Sequence, residues 1–382
     1  MEKKVAIIGA GLSGLACGVE LKRYGVIPTV FESNSYVGGR VGTEDYQGYK
    51  LDYGFQAFLP SYELGPYFFD YKNLNLKAFS PGARIYKSGK FNHLSDPLRD
   101  PRNLLNTLFS TSATIKDKAL TTKLIFSKAP AYININQSKT TLEFLKEYGF
   151  SQRYIDNFFK PFFSGVFLNE ELSVSSHFFR YIFKKFSKAY ASLPEKGMNQ
   201  LPLQLANEIG QENITLNKSI SLDEVELTEF DYIVWAGKPE NVEYHSVTTH
   251  YFKTTSNKWA SKTLYLNAES NKPINHIACL TAVNPSYAPK DWHLYSVNVL
   301  QEANLEAIST HLAEMFGSEE VNQWHHLKSF KIKEALPKNP YYGKFNPGKD
   351  KVIYCGDYLE SASIQGALSS GLKAARSILS SV

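Results

Sequence analysis

Lys4-Val5-Ala6-Ile7-Ile8-Gly9-Ala10-Gly11-Leu12-Ser13-Gly14-Leu15 decides the fold. An apolar run opens into G-x-G-x-x-G and then into a helical pattern, so the stretch reads as strand, glycine turn, helix. The first glycine makes the tight turn, the second admits a pyrophosphate against bare backbone, and the third lets helix pack on strand. The helix N-terminus, at Leu12 and Ser13, offers free N–H groups to the phosphates. Leu15, Ala16, Val19 and Leu21 continue the helix and Gly25 ends it. A second apolar run, Val26 to Phe31, closes on Glu32, which lies 18 residues after Gly14. A carboxylate at the tip of the second strand reaches the hydroxyls of an adenosine ribose, with Ser33 beside it. At this point NAD and FAD are both open.

The bulk properties fit that reading. A chain of 382 residues with 43% hydrophobic residues suits a globular protein of two or three intertwined domains. A formal charge of +5 is small for this length and argues against a nucleic-acid partner. No stretch approaches the ~18 apolar residues of a membrane span, and the fingerprint begins so close to Met1 that a signal peptide is not expected. Cys17, Cys279 and Cys355 are widely spaced in apolar surroundings, as in a reduced cytoplasmic protein. Aromatic residues make up 14% of the chain, which points to an aromatic-lined pocket.

After Glu32 comes Val37-Gly38-Gly39-Arg40, where paired glycines let backbone approach a ligand and Arg40 can meet a phosphate. Then Leu51-Asp52-Tyr53-Gly54-Phe55-Gln56-Ala57-Phe58 places an acid, a glycine and a glutamine among apolar neighbours, a short buried strand and turn. Near the other end, Tyr354-Cys355-Gly356-Asp357 is followed by Ser363-Ile364-Gln365-Gly366-Ala367-Leu368. Val352 to Cys355 reads as a strand, and Gly366 to Ala375 as a helix whose N-terminus can stabilise negative charge.

Together these motifs resemble the flavin-containing amine oxidase superfamily, which includes phytoene desaturases and protoporphyrinogen oxidases. The resemblance implies non-covalent FAD. Gly38, Gly39 and Arg40 would wrap its pyrophosphate, and the backbone from Gly54 through Phe55 to Gln56 would border the isoalloxazine, with Gln56 also a candidate catalytic group. Gly356 and Asp357 would hold the ribityl or pyrophosphate region, while Gln365, Gly366 and Ala367 would face the flavin. Gly197 to Ala206 is similar to a helix of the superfamily. The strand after it, Ile214 to Ile220, would meet the adenine near Ile220, and the apolar strand Asp231 to Ala236 would end at the cofactor with Ala236.

The implied fold class is α/β: a Rossmann-like FAD-binding domain with a parallel sheet, plus a mixed-sheet substrate domain with a helical lobe. The FAD-binding domain is expected at 1–80, 190–240 and 345–382, and the substrate domain at 81–189 and 241–344 with its lobe at 101–189. In the lobe, Ser151 is an expected N-cap and Pro161 and Gly165 are expected helix breakers. Phe178 to Lys188 mixes aromatics with cations, which reads as an amphipathic lobe helix or as a peripheral membrane contact.

The implied chemistry is hydride transfer from a hydrophobic small molecule to flavin N5, with O2 or a quinone as electron acceptor. Amine oxidation with O2 is the alternative within the superfamily, and a non-catalytic flavin-binding protein the alternative outside it. Lys262 is a candidate for the lysine that approaches flavin in amine oxidases. No second glycine fingerprint for NAD(P) is seen, His325 and His326 are too close in sequence to share a metal on one strand face, and no G-x-S-x-G elbow occurs.

Overall fold

The computed structural model describes residues 3–94, 113–128, 139–221, 229–239, 241–338 and 351–380. Its first layer is a five-stranded, all-parallel sheet in the order Val352–Tyr354, Tyr232–Trp235, Val5–Ile8, Thr29–Phe31, Ile214–Thr215. Strand Val5–Ile8 is buried along its whole length and pairs on both sides, Ile7 facing Val234 and Val30. Continuous apolar sequence is what a parallel strand covered on both faces requires.

Helix Leu12–Arg23 packs on this sheet through bare backbone. A Cβ built on Gly14 would stand 2.0 Å from the Gly9 carbonyl oxygen, and one on Gly371 only 2.1 Å from that of Ser13. Helix Ile364–Leu379, which carries Gly371, therefore lies directly against the glycine helix, and its N-cap Ser363 accepts from the Gly366 N–H. The described chain thus brings its two distant glycine motifs together.

The second layer is a seven-stranded mixed sheet in the order His325–Pro337, Tyr244–Thr254, His293–Val299, Ile274–Cys279, Leu264–Asn267, Ala83–Lys87, Lys90–Leu94. All neighbours are antiparallel except Leu264–Asn267 with Ala83–Lys87. Above it sits a helical layer, Ile115–Phe126, Thr141–Tyr148, Gln152–Phe167 and Ser176–Lys188. Positions 1–2, 95–112, 129–138, 222–228, 240, 339–350 and 381–382 of the expected segments lie outside the described residues.

Two expectations need correction. Ser151 does cap its helix, accepting from the Tyr154 N–H, but Pro161 and Gly165 do not break it. The helix continues to Phe167 through a π-turn at Ile155–Phe159, which accommodates the missing Pro161 N–H by widening the preceding turn. The strand expected over Ile214 to Ile220 stops at Thr215. Asn217 is left-handed, φ 56°, and the N–H groups of Asn217 and Lys218 bond to the carbonyls of Asn34 and Glu32, turning the chain away. In the helix Ser176–Lys188, Phe178, Phe179 and Ile182 are buried. Lys185 is buried too, paired with Glu63 and set over the Tyr181 ring, so one of the four cations is internal.

A buried carboxylate ties the two layers. Asp52 accepts from Thr43 Oγ1 at 2.6 Å, from the Met198 N–H at 3.1 Å and from Tyr287 Oη at 2.9 Å. Burial raises its pKa to about 6, against the lowering effect of those hydrogen bonds.

Candidate functional site

One cavity of about 1240 Å³ runs between the two layers, from the glycine turn to the helical lobe. Ligand sites for one drug-sized molecule occupy roughly 300–1,000 Å³, so this volume has room for more than one ligand.

At the glycine end, Gly9 has φ +106° and Gly11 has open space where a Cβ would stand. Helix Leu12–Arg23 starts at Gly11 with no side-chain cap and no acidic residue in its first turn. Its first N–H groups and positive dipole end therefore face the cavity wall formed by Gly11, Leu12 and Ser13. Gly38 (φ +117°) and Gly39 (φ +58°) lie alongside, the Gly38 N–H bonding to the Ala10 carbonyl at 2.8 Å. This cradle of bare backbone and uncapped N–H groups fits a pyrophosphate.

Glu32, 4% exposed, lies against this end. Its Oε2 accepts from the Ala10 N–H at 2.7 Å and its Oε1 from the Asn34 N–H at 2.9 Å. Ser33 lines the cavity next to it, and Ala236 closes the wall where its N–H meets the Ile8 carbonyl. Arg40 bridges the chain ends: its Nη2 donates to Asp357 Oδ1 at 2.6 Å and its Nη1 to the Ala335 carbonyl at 2.8 Å. The aspartate side chain is 5% exposed and the arginine 41%, leaving a guanidinium edge for a ligand. Gly356 carries no side chain because a Cβ would collide with the Tyr358 ring at 2.1 Å.

Between the two ends lie Gly54, Phe55 and Gln56. The Gln56 Nε2 donates to the Arg40 and Tyr53 carbonyls, and its buried Oε1 has no partner. An orphaned amide oxygen at this position fits the polar edge of a flavin ring, which can donate to it. Beyond it the cavity turns apolar, walled by Phe158, Phe162, Phe163, Phe178, Phe183 and Phe186 with Leu264 and Leu266. Among the described lining residues the only carboxylates are Glu32, Glu334 and Asp357, and none belongs to this aromatic end.

Five of the sequence-predicted residues do not line the cavity. Gly14 is spent on helix–strand packing, and Gly366 on its approach to Ser361. Gln365 is turned to Leu64, whose N–H it accepts at 3.0 Å, while the adjoining Ser363, Ile364 and Ala367 do line the wall. Ile220 is buried in an apolar cluster with Ile8, Phe31 and Ile233. Lys262 is exposed one turn before strand Leu264–Asn267, its carbonyl accepting from the Ser80 N–H. The strand alternation that sends Leu264 and Leu266 inward does not extend back through that loop.

Sequence reasoning missed Tyr36, Tyr53, Tyr244, Asn298 and His276, all of which line the cavity. Burial raises Tyr244 to about 12, so its hydroxyl remains a donor. The adjacent polar pair Asn275-His276 inside an otherwise apolar strand was the one available signal.

The sequence profile of the flavin containing amine oxidoreductases matches residues 12–247, and the chain belongs to that family. Its cofactor is FAD. Over 56 residues it is 43% identical to the 1-hydroxycarotenoid 3,4-desaturase of Flavobacterium sp. (strain P99-3), covering 15% of this chain and 12% of that protein. Over 180 residues it is 26% identical to the mitochondrial protoporphyrinogen oxidase of Nicotiana tabacum, covering 46% of this chain and 34% of that one. These matches thus span a minor part of the relatives' lengths. A solved structure of a putrescine oxidase triple mutant superposes with a TM-score of 0.72 at 16% identity, covering 100% of this chain and 99% of the other, which establishes the shared fold. Among the described residues no helix is long and apolar enough to cross a membrane.

Glu32 provides a direct check on the cofactor end. Glu32→Ala removes the carboxylate expected to take the ribose hydroxyls and is expected to weaken FAD binding by about 1–3 kcal/mol, the cost of losing a partner in a buried polar contact. Fluorescence titration of the flavin-free protein measures it, and an unchanged Kd refutes the assignment.

Proposed function

We propose that this protein is an FAD-dependent oxidoreductase that oxidises or desaturates a hydrophobic small molecule. The carrying observation is the continuity of one cavity whose glycine end is built from bare backbone and whose far end is built from phenylalanines. In this reading the N–H groups at Gly11, Leu12 and Ser13 hold the pyrophosphate, Glu32 and Ser33 the adenosine ribose, and Arg40 with Asp357 the middle of the dinucleotide. Gly38 and Gly39 let backbone approach it, and Gly54, Phe55 and Gln56 border the ring system.

Bound FAD supplies the two-electron acceptor for the substrate C–H bond, and O2 or a quinone restores it. The protein's own residues position and enclose. The phenylalanine wall excludes water, and the Gln56 Oε1 orients the ring edge. Residues 1–80, 190–240 and 345–382 serve the cofactor, and 81–189 with 241–344 the substrate. Among the described residues the aromatic end offers a cationic amine no carboxylate as counter-ion, which favours an apolar substrate over a diamine.

Anaerobic addition of a long polyene to the yellow holoprotein is expected to bleach its flavin absorbance, with recovery on admitting air. Putrescine under the same conditions is expected to leave the colour unchanged. Bleaching by putrescine would move the reading to amine oxidation, and colour that persists with both would move it to a flavin-binding protein without turnover.

A further inference from the structure

We infer that the substrate cavity contains a subsite for a hydroxyl group, formed by an acceptor on His276 and a donor on Asn298. This rests on the reading of the aromatic end as the substrate cavity. Asn298 and His276 are register partners on strands His293–Val299 and Ile274–Cys279, and Thr249 lies opposite Asn298 on its other side. The row Thr249, Asn298, His276 therefore crosses one face of the mixed sheet, and its last two members line the cavity.

The hydrogen-bond roles in this row are fixed by its neighbours. Thr249 Oγ1 accepts from the Phe55 N–H at 3.1 Å and donates to Asn298 Oδ1 at 2.6 Å. That leaves the Asn298 Nδ2, a double donor, with no partner. At the other position, Asn275 Nδ2 donates to Ser164 Oγ at 3.0 Å, so Asn275 Oδ1 is an acceptor and the His276 Nδ1 at 2.8 Å carries the ring proton. The His276 Nε2 is then a bare acceptor, also without a partner. Burial lowers His276 to about 4, in keeping with a neutral ring.

Both side chains are at least nine-tenths buried, His276 at 5% and Asn298 at 0% exposure. Two orphaned groups of opposite role on paired positions call for one group that both accepts and donates, and a hydroxyl does so. The surroundings are built to hold the acceptor still. A register shift between Ile274 and His276 brings the consecutive Asn275 and His276 side chains together, where a regular strand would send them to opposite faces. Gly165 leaves room for them: a Cβ there would stand 2.6 Å from Asn275 Oδ1 and 2.8 Å from His276 Nδ1. The Phe55 ring packs edge-on against His276 at 4.9 Å, which links the pair to the segment that borders the cofactor. The substrate class that follows is a long apolar molecule carrying a hydroxyl.

The test compares geranylgeraniol with the hydrocarbon of the same skeleton lacking the hydroxyl, each titrated into the holoprotein and read by the shift in flavin absorbance. The alcohol is expected to bind roughly 10–100-fold tighter, the range for satisfying otherwise unmatched buried groups. His276→Leu and, separately, Asn298→Leu are expected to bring that ratio near one while the hydrocarbon's Kd stays within about threefold, with retained flavin absorbance reporting the fold. Equal affinity of the two compounds for the wild type would overturn the hydroxyl subsite while leaving the apolar cavity reading intact. A preference that survives both substitutions would overturn it as well. Binding of neither compound would overturn the subsite and the substrate-cavity reading together.

Discussion

Gly14→Ala is expected to leave a protein that purifies without flavin and unfolds at markedly lower urea concentration. The added Cβ would stand 2.0 Å from the Gly9 carbonyl oxygen and 3.1 Å from the Ala236 Cβ, so helix Leu12–Arg23 must lift off the strand it packs on. Overpacking against backbone cannot be relieved by a rotamer change, and the loss is set at about 3 kcal/mol or more. Gly11→Ala separates folding from binding. Gly11 has φ −70° and open space at the Cβ position, so the flavin-free protein should lose less than about 0.5 kcal/mol. FAD affinity should nevertheless fall by about 100-fold, because the methyl group stands where backbone must meet the pyrophosphate. Urea unfolding of the flavin-free chains and FAD titration measure the two effects. Full FAD affinity in Gly11→Ala would mean that the phosphates do not lie against this turn.

Acid is expected to destabilise the protein well before its surface carboxylates protonate. His250, His276 and His311 are buried, and burial lowers each to about 4 from the ordinary 6.5. The unfolded chain therefore takes up protons that the folded one refuses. The stability these histidines represent is complete above pH 6.5 and is lost as pH falls toward 4, by roughly 3 kcal/mol each at full effect. Asp52 opposes them. Its folded pKa is raised to about 6, so folded protein binds a proton more readily than unfolded and gains roughly 3 kcal/mol as pH falls from 6 to below 3.8. The net loss, on the order of 6 kcal/mol, is comparable to the whole stability of many domains, about 5–15 kcal/mol. Urea midpoints between pH 7 and 4.5 should fall steeply, less steeply in His311→Gln and more steeply in Asp52→Asn. A flat profile in the wild type would refute the assignment.

The parallel sheet was legible because its central strands carry buried apolar runs, Val5–Ile8 along its whole length and Tyr232–Trp235 at Ile233 and Val234. Glu32 and Arg40 stood out in the sequence because they are polar groups beside glycine turns, and Asp357 through the family resemblance; the fold gathers the three on one cavity wall. What stayed hidden depends on distant pairing. The strand Ala83–Lys87 and its parallel partner Leu264–Asn267 pair at a constant separation of 181 positions, as from Ala83 to Leu264, which no local period announces. Asn298 and His276 acquire meaning only through their register, and a single histidine in an apolar strand otherwise reads as core. Gly165 and Pro161 misled because both residue types usually end helices; here one gives room to a neighbouring strand and the other is absorbed by a π-turn.

The proposed flavin site is bracketed by segments from opposite ends of the described chain, and this sets a timetable. During synthesis the glycine turn precedes the segments that complete its sheet, which stays open along the Tyr232–Trp235 edge until Val352–Tyr354 arrives. Asp357 then meets Arg40, and Gly371 seats its helix on Ser13. Completion of this wall therefore waits for the segment that carries Asp357 and Gly371, and until then the apolar face of helix Leu12–Arg23 that Ile364–Leu379 will cover is exposed to chaperones and to aggregation.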